Sequence, residues 1–331
     1  MFPKKIYYEK KALEYPLGKK LKEKYNAIEW IGIDNHNNIP EMREKENKEF
    51  AVMKQSIILG IRKTHKYVAN FKTSDFLVPW TSSGCSAMCL YCYLVCNYNK
   101  CAYLRLFANR EQMLDRLMDF SRKSATPLTF EIGSNSDLIL ENTITENLPW
   151  VIEEFARKGR GRITFPTKFE MVDSLLSLDH KEKTVFRMSV NPEEVIGRIE
   201  LGTSHLEGRI QAVNKMAEAG YPIGLLIAPV IMIEGWKEKY TELLDRLEAG
   251  LSETVKATMF IEVIFMTYSY VHRAINNEAF PHAPELYSKE VMIGRGRGKY
   301  WYRQNLRDEG EEFLRKEIEK RFSKNKIMYF C

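Results

Sequence analysis

The chain has 331 residues, enough for one large domain with additions or for two ordinary domains. Its 44% hydrophobic and 28% charged residues are typical of a globular protein and exclude a disordered one. No run of eighteen apolar residues is present, so the sequence predicts no membrane span, and the N-terminal residues predict no signal peptide. The net charge of +6 permits a nucleic-acid partner without indicating one, and we expect a cytoplasmic protein.

The predicted elements follow a regular rhythm only in the middle of the chain. The first ~70 residues are charged and irregular in pattern apart from a predicted strand at residues 56–61. Asn109 is expected to cap one later helix and Gly220 to end another. Six apolar runs predict strands at residues 75–80, 128–133, 162–167, 185–190, 223–230 and 259–265.

Six strands that are each followed by a helix imply parallel pairing with right-handed crossovers. A doubly wound open sheet and a partial barrel both fit this rhythm. Beyond residue 270 the pattern changes to a glycine-punctuated hairpin at residues 294–303 and a charged amphipathic helix that ends near residue 321. We therefore predict three segments: an extension at residues 1–74, an α/β core at 75–270, and a hairpin with a helix at 271–331.

In either architecture, functional side chains gather where the parallel strands end. Residues 84–92 follow the first predicted strand of the core, and residues 133–137 follow the second. The later strand ends contribute Lys168, Ser189, Asn191, Ala228 and Pro229. These positions are site candidates on topology alone, although short polar residues and a proline at strand ends also form ordinary turns.

The cysteines are strongly clustered. Five of the six lie between residues 85 and 101, which is typical of metal ligation in a reducing compartment. Cys85, Cys89 and Cys92 have the spacing C-x3-C-x2-C, which can hold three irons of a [4Fe–4S] cluster and leave the fourth iron open. A zinc site that recruits Cys96 or Cys101 is the main alternative, and reactive or structural thiols are another.

The cysteine spacing, with Tyr91 just before the third cysteine, resembles the signature of the radical SAM superfamily. Further segments resemble the spore photoproduct lyase family, in that family's order: residues 12–19, 92–94, 165–169, 187–191, 219–224, 227–236 and 298–300. The resemblance covers nearly the whole chain. It implies an α/β fold, a partial (β/α)6 TIM-like radical SAM barrel with an N-terminal extension and a C-terminal β-hairpin plus helix.

The resemblance also implies an activity, that of a radical SAM DNA repair lyase. Members of the family hold a [4Fe–4S] cluster, here on Cys85, Cys89 and Cys92, and use it to cleave S-adenosyl-L-methionine. The resulting 5′-deoxyadenosyl radical starts the reversal of spore photoproduct, 5-thyminyl-5,6-dihydrothymine, to two thymines. The implied partners are DNA that carries this thymine dimer and an electron donor such as flavodoxin or ferredoxin, and a monomer suffices for the reaction.

Individual residues take roles from the same resemblance. Tyr91 and Tyr93 match tyrosines that relay hydrogen, although aromatic residues beside a cluster also shield it from water. The implied cofactor-binding residues are Ser134, Ser136, Lys168, Ser189, Asn191 and Ala228. The implied DNA-binding residues are Arg295, Arg297, Lys299, Tyr300 and Arg303. From composition alone, the last group is equally typical of a solvated basic turn.

Ser134 is the departure from the family, whose members have a hydrogen-donating cysteine at this position. An O–H bond is much stronger than an S–H bond, so serine is a poor hydrogen-atom donor. The first hypothesis is therefore a relocated donor thiol, Cys96 or Cys101, which are the nearest to the cluster motif in sequence. The second is a related radical SAM enzyme with another nucleic-acid or small-molecule substrate, and the third is a non-enzymatic iron–sulfur or zinc protein that binds DNA. Cys331 is expected to be incidental.

Overall fold

A computed structural model describes residues 3–97 and 104–331, with the backbone alone for residues 96 and 97. The chain divides into two compact units. The first unit comprises Met1–Met88, Leu94–Phe165 and Ser177–Thr184, and the second comprises Cys89–Tyr93, Pro166–Leu176 and Val185–Cys331. The three segments predicted from the sequence stay a prediction. Within the described residues, every helix is too short or too polar to cross a membrane.

The strands up to residue 167 are β1 (Lys5–Glu9), β2 (Glu29–Ile33), β3 (Ser56–Gly60), β4 (Val68–Ala69), β5 (Phe76–Leu77), β6 (Ser82–Ser83), β7 (Met88–Cys89), β8 (Leu104–Phe107), β9 (Thr129–Glu131) and β10 (Arg162–Thr167). The helices of this part are α1 (Pro16–Lys24), α2 (Pro40–Glu44), α3 (Phe50–Met53), α4 (Leu94–Asn97), α5 (Arg110–Lys123), α6 (Leu138–Thr145) and α7 (Asn147–Lys158).

The later strands are β11 (Thr184–Val190), β12 (Glu200–Leu201), β13 (Ile223–Val230), β14 (Phe260–Phe265), β15 (Thr267–Ser269), β16 (Met292–Gly296), β17 (Lys299–Tyr302) and β18 (Lys326–Phe330). The later helices are α8 (Glu193–Arg198), α9 (Leu206–Glu218), α10 (Trp236–Gly250), α11 (Glu253–Thr258), α12 (Tyr270–Ala279) and α13 (Gln304–Arg321).

The N-terminal part of the first unit is more regular than its sequence indicates. Five strands form a sheet in the order β2-β1-β3-β8-β6, in which β1 pairs in parallel with β2 and β3, and β3 pairs in parallel with β8. Ile6, Leu17, Ile57 and Leu106 share one buried apolar cluster, so helix α1 packs on this sheet. Strands β1 and β2 escape the sequence analysis because each is only five residues long and begins and ends among charged residues.

Strands β5, β9 and β10 form a parallel group in the first unit, with β9 between the other two. The predicted strands at residues 75–80 and 128–133 are confirmed as β5 and β9, but both are shorter than expected. Helix α5 begins after Asn109 as predicted. The Asn109 side chain contacts Arg62 instead of capping the helix, since its Oδ1 accepts from the Arg62 amide at 2.9 Å.

The second unit contains a parallel sheet in the order β18-β14-β13-β11. Helix α9 precedes β13, and helices α10 and α11 connect β13 to β14, which is the crossover that parallel strands require. The predicted strand at residues 223–230 is confirmed with the same bounds. Helix α9 ends just before Gly220, as predicted, and the φ of +87° at Gly220 is easiest for glycine.

The C-terminal hairpin and helix are also confirmed. Strands β16 and β17 pair antiparallel, β15 pairs with the other edge of β17, and α13 ends at Arg321. Strand β18 was not predicted. It adds the last residues of the chain to the edge of the second unit's sheet, beside β14.

A buried ion pair joins strands β11 and β14 inside this sheet. Arg187 Nη1 lies 3.1 Å from Glu262 Oε2, and both side chains are almost completely buried. Tyr329 of β18 donates its hydroxyl hydrogen to Glu262 Oε1 at 2.5 Å, so the same carboxylate also contacts the C-terminal strand. Burial and the adjacent Glu262 carboxylate raise the pKa of Tyr329, which therefore remains a hydrogen donor.

We expect Glu262→Gln to lower the free energy of unfolding by about 3 kcal/mol, because it replaces the carboxylate that pairs with the buried Arg187 charge by a neutral amide. The measurement is urea denaturation followed by circular dichroism. Glu253→Gln is the matched control, since the side chain of Glu253 is 91% exposed in its pair with Lys256 and its loss should cost less than about 1 kcal/mol. Equal effects of the two substitutions would contradict the assigned role of Glu262.

Candidate active site

Cys85 begins the cysteine loop and belongs to the first unit. Its Sγ accepts a hydrogen bond from the Ala87 amide at 3.4 Å, and its carbonyl accepts from the buried ammonium of Lys54. Hydrogen bonds to sulfur are one means by which a protein tunes a thiolate ligand of an iron–sulfur cluster. Cys85 therefore lies in a fixed polar setting although it is buried.

The loop that carries Cys89 and Cys92 belongs to the second unit, and hydrogen bonds to its main-chain groups fix it on two sides. The Leu90 amide donates to the Ile199 carbonyl at 3.0 Å. From helix α12, Asn276 Nδ2 donates to the Leu90 carbonyl, and His272 Nε2 lies 2.8 Å from the Cys92 carbonyl oxygen. Since His272 and Asn276 are four residues apart, one face of α12 binds the loop at both points.

The contacts of His272 determine its tautomer. A carbonyl oxygen only accepts, so Nε2 must carry the proton that it donates to Cys92. Nδ1 is then the acceptor and takes the hydroxyl hydrogen of Ser269 at 3.0 Å. Burial lowers the pKa of His272, which favours this neutral form. The sequence analysis missed both His272 and Asn276.

Glu200 is the centre of a buried hydrogen-bond network in the second unit. Tyr91 donates its hydroxyl hydrogen to Glu200 Oε1, and Asn191 Nδ2 donates to the same oxygen at 2.8 Å. Arg209 Nη2 lies 2.6 Å from Glu200 Oε2, and both of these side chains are fully buried. The network thus joins two residues that the sequence analysis named, Tyr91 and Asn191, to two that it missed, Glu200 and Arg209.

The electrostatics of this network fix its protonation states. Burial alone would raise the pKa of Glu200, but the charges of Arg209 and Lys168 and the hydrogen bonds from Tyr91 and Asn191 lower it to about 2. Glu200 is therefore a carboxylate at neutral pH. Burial and this carboxylate raise the pKa of Tyr91 well above its ordinary value, so the phenol keeps its hydrogen.

Lys168, Ser189 and Ala228 meet at the strand ends of the second unit, as the sequence predicted for their positions. Lys168 Nζ donates to Ser189 Oγ at 2.6 Å and to the Ala228 carbonyl at 3.1 Å, and it lies 3.7 Å from Glu200 Oε1. Ser189 Oγ also donates its own hydrogen to the Ala228 carbonyl at 2.7 Å. The Ser189 hydroxyl is thus oriented by its neighbours.

Ser134 and Ser136 lie in the first unit, in the segment between β9 and α6. Ser136 forms a parallel β-bridge with Gly84, the residue before Cys85. Its Oγ lies 2.5 Å from Ser82 Oγ. Asp137, the next residue, caps α6 by accepting from the amides of Ile139 and Leu140. This segment is therefore built against the start of the cysteine loop.

The predicted DNA-binding residues differ in their contacts. Arg295 lies over the ring of Trp301 at 4.5 Å, and Arg297 occupies the turn of the hairpin with a φ of +52°. Tyr300 packs against Tyr287 with 4.6 Å between ring centroids. Arg303 is committed to the fold, because its guanidinium donates to the carbonyl oxygens of residues 289 and 290.

Three further predictions concern residues near the loop. Tyr93 is 53% exposed. Cys101 lies outside the described residues, and the side chain of Cys96 lies outside them as well. Over residues 3–97 and 104–331, no three His, Cys, Asp or Glu side chains are grouped as a ready-made metal site.

Comparison with known proteins gives the family. The family model described as "Spore photoproduct lyase" matches residues 1–331. The curated spore photoproduct lyase of Bacillus subtilis (strain 168) is 33% identical over 99% of this chain and 98% of its own length. The chain belongs to the spore photoproduct lyase family. The spore photoproduct lyase of Geobacillus sp. (strain Y412MC61) is 32% identical over the same shares of the two chains.

Solved structures of spore photoproduct lyase agree. One, complexed with dinucleoside spore photoproduct, has a TM-score of 0.92 and 30% identity and covers 99% of both chains. A variant with bound AdoMet and the same dinucleoside has a TM-score of 0.93 and 30% identity, covering 100% of this chain and 99% of the other. The α/β partial-barrel fold class and the lyase activity class expected from the resemblance are thereby confirmed.

The ionised state of Glu200 has a consequence for stability. Its folded pKa of about 2 lies below the ordinary 4.5, so the carboxylate stabilises the fold fully above pH 4.5, and this contribution is lost as pH falls towards 2. The Glu200→Gln variant has a neutral amide at this position, which does not titrate. We therefore expect the difference in unfolding free energy between wild type and E200Q to narrow by about 1 kcal/mol between pH 4.5 and pH 3.5. A constant difference in urea denaturation at these two pH values would contradict an ionised Glu200.

The contact of α12 with the cysteine loop is also testable. His272→Phe keeps an aromatic ring beside Tyr268 but removes the donor to the Cys92 carbonyl, so amides in residues 89–93 should exchange about fivefold faster. Hydrogen–deuterium exchange with mass spectrometry measures this rate. His205→Phe is the matched control, because the side chain of His205 is 81% exposed. Unchanged exchange in H272F would exclude a contribution of His272 to the order of the loop.

Proposed function

We propose that this protein is a radical SAM lyase that reverses spore photoproduct in DNA to two thymines. The observation that carries the proposal is the Glu200 network, which brings Tyr91, Lys168 and Asn191 together although they lie far apart in sequence. All three match the family, and the solved relatives include complexes with dinucleoside spore photoproduct and with AdoMet. Site and family therefore support the same reaction.

The donor set fits a [4Fe–4S] cluster held by Cys85, Cys89 and Cys92. All three are reduced thiols within eight residues of chain, and Cys85 Sγ accepts an amide hydrogen bond. Three ligands leave one iron open, whereas structural zinc is usually held by four protein ligands. When bound, the cluster supplies the electron that cleaves S-adenosyl-L-methionine to methionine and a 5′-deoxyadenosyl radical.

The polar residues of the second unit take different roles in binding this cofactor. Lys168 is partly exposed and carries a positive charge suited to the methionyl carboxylate. Ser189 accepts from Lys168 and so positions its ammonium. Asn191 uses both ends of its amide, donating to Glu200 and accepting from Tyr240, so its role is to hold these two side chains in place.

Tyr91 and Tyr93 have different surroundings in the proposed hydrogen relay. Tyr91 is oriented by Glu200, whereas Tyr93 is half exposed and faces incoming substrate in this proposal. Ser134 is a poor hydrogen-atom donor, so we assign the donor thiol to Cys96 or Cys101. Arg295, Arg297, Lys299 and Tyr300 of the hairpin are proposed to contact the DNA strand, while Arg303 holds the hairpin to residues 289 and 290.

The remaining partners follow from this chemistry. The cluster needs a one-electron donor, for which flavodoxin or ferredoxin is suitable. We propose a monomer, because one chain carries the cysteine loop and the hairpin. The clustering of five cysteines between residues 85 and 101 supports a reducing, cytoplasmic setting.

The repair assay tests the proposal directly. Anaerobically reconstituted protein, with S-adenosyl-L-methionine and dithionite, should convert dinucleoside spore photoproduct to two molecules of thymidine, as measured by chromatography and mass spectrometry. Cys89→Ala should abolish turnover because it removes a cluster ligand, and Cys331→Ala, outside the loop, should retain it. Cleavage of the cofactor without repair would favour a related enzyme with another substrate, the alternative that Ser134 raises.

The same assay identifies the donor thiol. If Cys96 or Cys101 gives the last hydrogen atom, its change to Ala should leave the substrate radical unquenched and shift the product from thymine to oxidised or reduced by-products. Clean thymine formation by both single variants and by the double variant would exclude both cysteines.

A further inference from the structure

A second buried carboxylate, Glu141 of α6, lies at the centre of a hydrogen-bond network in the first unit. Its side chain is reached by Thr81 Oγ1 at 3.0 Å, by Asn147 Nδ2 at 3.0 Å and by the hydroxyl of Ser82. The residue is only 2% exposed. Arg110 donates to Asn147 Oδ1, which fixes the Asn147 amide with its NH2 group towards Glu141. Every one of these neighbours therefore donates to Glu141.

This network continues to Ser136. Ser82 Oγ, which contacts Glu141 Oε2, lies 2.5 Å from Ser136 Oγ. Ser136 is placed beside Gly84 by the β-bridge, and the Gly84 amide donates to the Asn135 carbonyl at 2.7 Å. Glu141 is thus connected through one hydroxyl to a second hydroxyl at the start of the cysteine loop.

The direction of the hydrogen bonds follows from counting protons. Burial raises the pKa of Glu141, and the hydrogen bonds from Ser82, Asn147 and Thr81 oppose that rise. In the ionised form the carboxylate only accepts, and a serine hydroxyl has one hydrogen to give. Ser82 gives its hydrogen to Glu141, so between the two serines it must accept, and Ser136 must be the donor. With its only hydrogen committed to Ser82, Ser136 Oγ can act towards a bound ligand only as an acceptor.

We propose that Glu141 sets this direction so that Ser136 presents lone pairs to an ammonium group of a ligand bound beside the cysteine loop. In the terms of the proposed function, on which this inference rests, that group is the methionyl ammonium of S-adenosyl-L-methionine. Ser136 is the binding residue, while Glu141 and Ser82 are positioning residues. Neither positioning residue was found from the sequence.

Glu141→Gln reverses the direction of the hydrogen bonds between residue 141, Ser82 and Ser136, with almost no change in the shape of the side chain. The Asn147 amide can only donate to Oε1, whereas the Thr81 and Ser82 hydroxyls beside Oε2 can also accept. The glutamine therefore keeps its oxygen at the position of Oε1 and places its NH2 group at the position of Oε2, next to Ser82. Ser82 then accepts from the amide and gives its hydrogen to Ser136. The hydrogen of Ser136 turns outward, towards the ligand ammonium that it previously bound.

The experiment measures equilibrium binding to the anaerobically reconstituted protein, independently of turnover. The dissociation constant of S-adenosyl-L-methionine should rise about tenfold or more in E141Q, because a donor now faces a cation. The desamino analogue of the cofactor lacks the ammonium. Its dissociation constant for E141Q should therefore lie within about twofold of its dissociation constant for the wild-type protein. Equal losses for both ligands would overturn the proposal, since they would reflect a general disturbance of the site.

A second set of variants tests the same direction of hydrogen bonds without relying on E141Q alone. Ser82→Ala removes the hydroxyl between Glu141 and Ser136, so the Ser136 hydroxyl becomes free to rotate. This variant should weaken binding of S-adenosyl-L-methionine less than Ser136→Ala does. The double variant E141Q/S82A should bind like S82A, because the glutamine no longer reaches Ser136 through Ser82. Additive losses in the double variant, or an S82A as weak as S136A, would overturn the relay. Wild-type protein that binds neither ligand would overturn the proposed function itself.

Discussion

The ion pair between Glu200 and Arg209 is the interaction on which the active site of the second unit depends. A carboxylate removed from water is costly unless charges and hydrogen bonds compensate it. Here Arg209 supplies the charge at 2.6 Å, and Asn191 and Tyr91 supply hydrogen bonds. Because the compensation is nearly complete, the carboxylate stays ionised and can fix the orientation of the groups that donate to it.

The first unit holds a second buried acidic side chain, Glu141, whose pKa is raised by burial although its hydrogen bonds oppose the shift. Glu141 accepts hydrogen bonds from Thr81, which precedes strand β6, and from Asn147 at the start of helix α7. Glu200 thus orients Tyr91 within the second unit, and Glu141 orients Ser82 within the first. Tyr91 lies one hydrogen bond from Glu200, and Ser136 lies two hydrogen bonds from Glu141, through Ser82. In each case the buried acceptor determines where the hydrogen of the reactive or binding group points.

The sequence predicts the strands of this fold better than its polar networks. Buried parallel strands are continuous apolar runs, so residues 162–167 and 223–230 were predicted with their observed bounds. The sequence does not show whether a Glu or an Arg is buried, so Glu200 and Arg209 could not be predicted from their residue types. His272 could not be predicted either, because it lies 180 residues from Cys92, which it contacts. One signal was available: Arg209 lies on the apolar stripe of α9 with Leu206, Ile210 and Val213, where an unpaired charge would be costly.

The most direct test of this account is the protonation state of Glu200 at neutral pH. Infrared difference spectra of wild type against E200Q, with 13C-labelled glutamate to assign the bands, report it without relying on activity. The account predicts that the band lost in the variant is the antisymmetric stretch of a carboxylate. Loss of the carbonyl stretch of a protonated acid would contradict it, because a neutral Glu200 would neither pair with Arg209 nor fix the hydrogen of Tyr91.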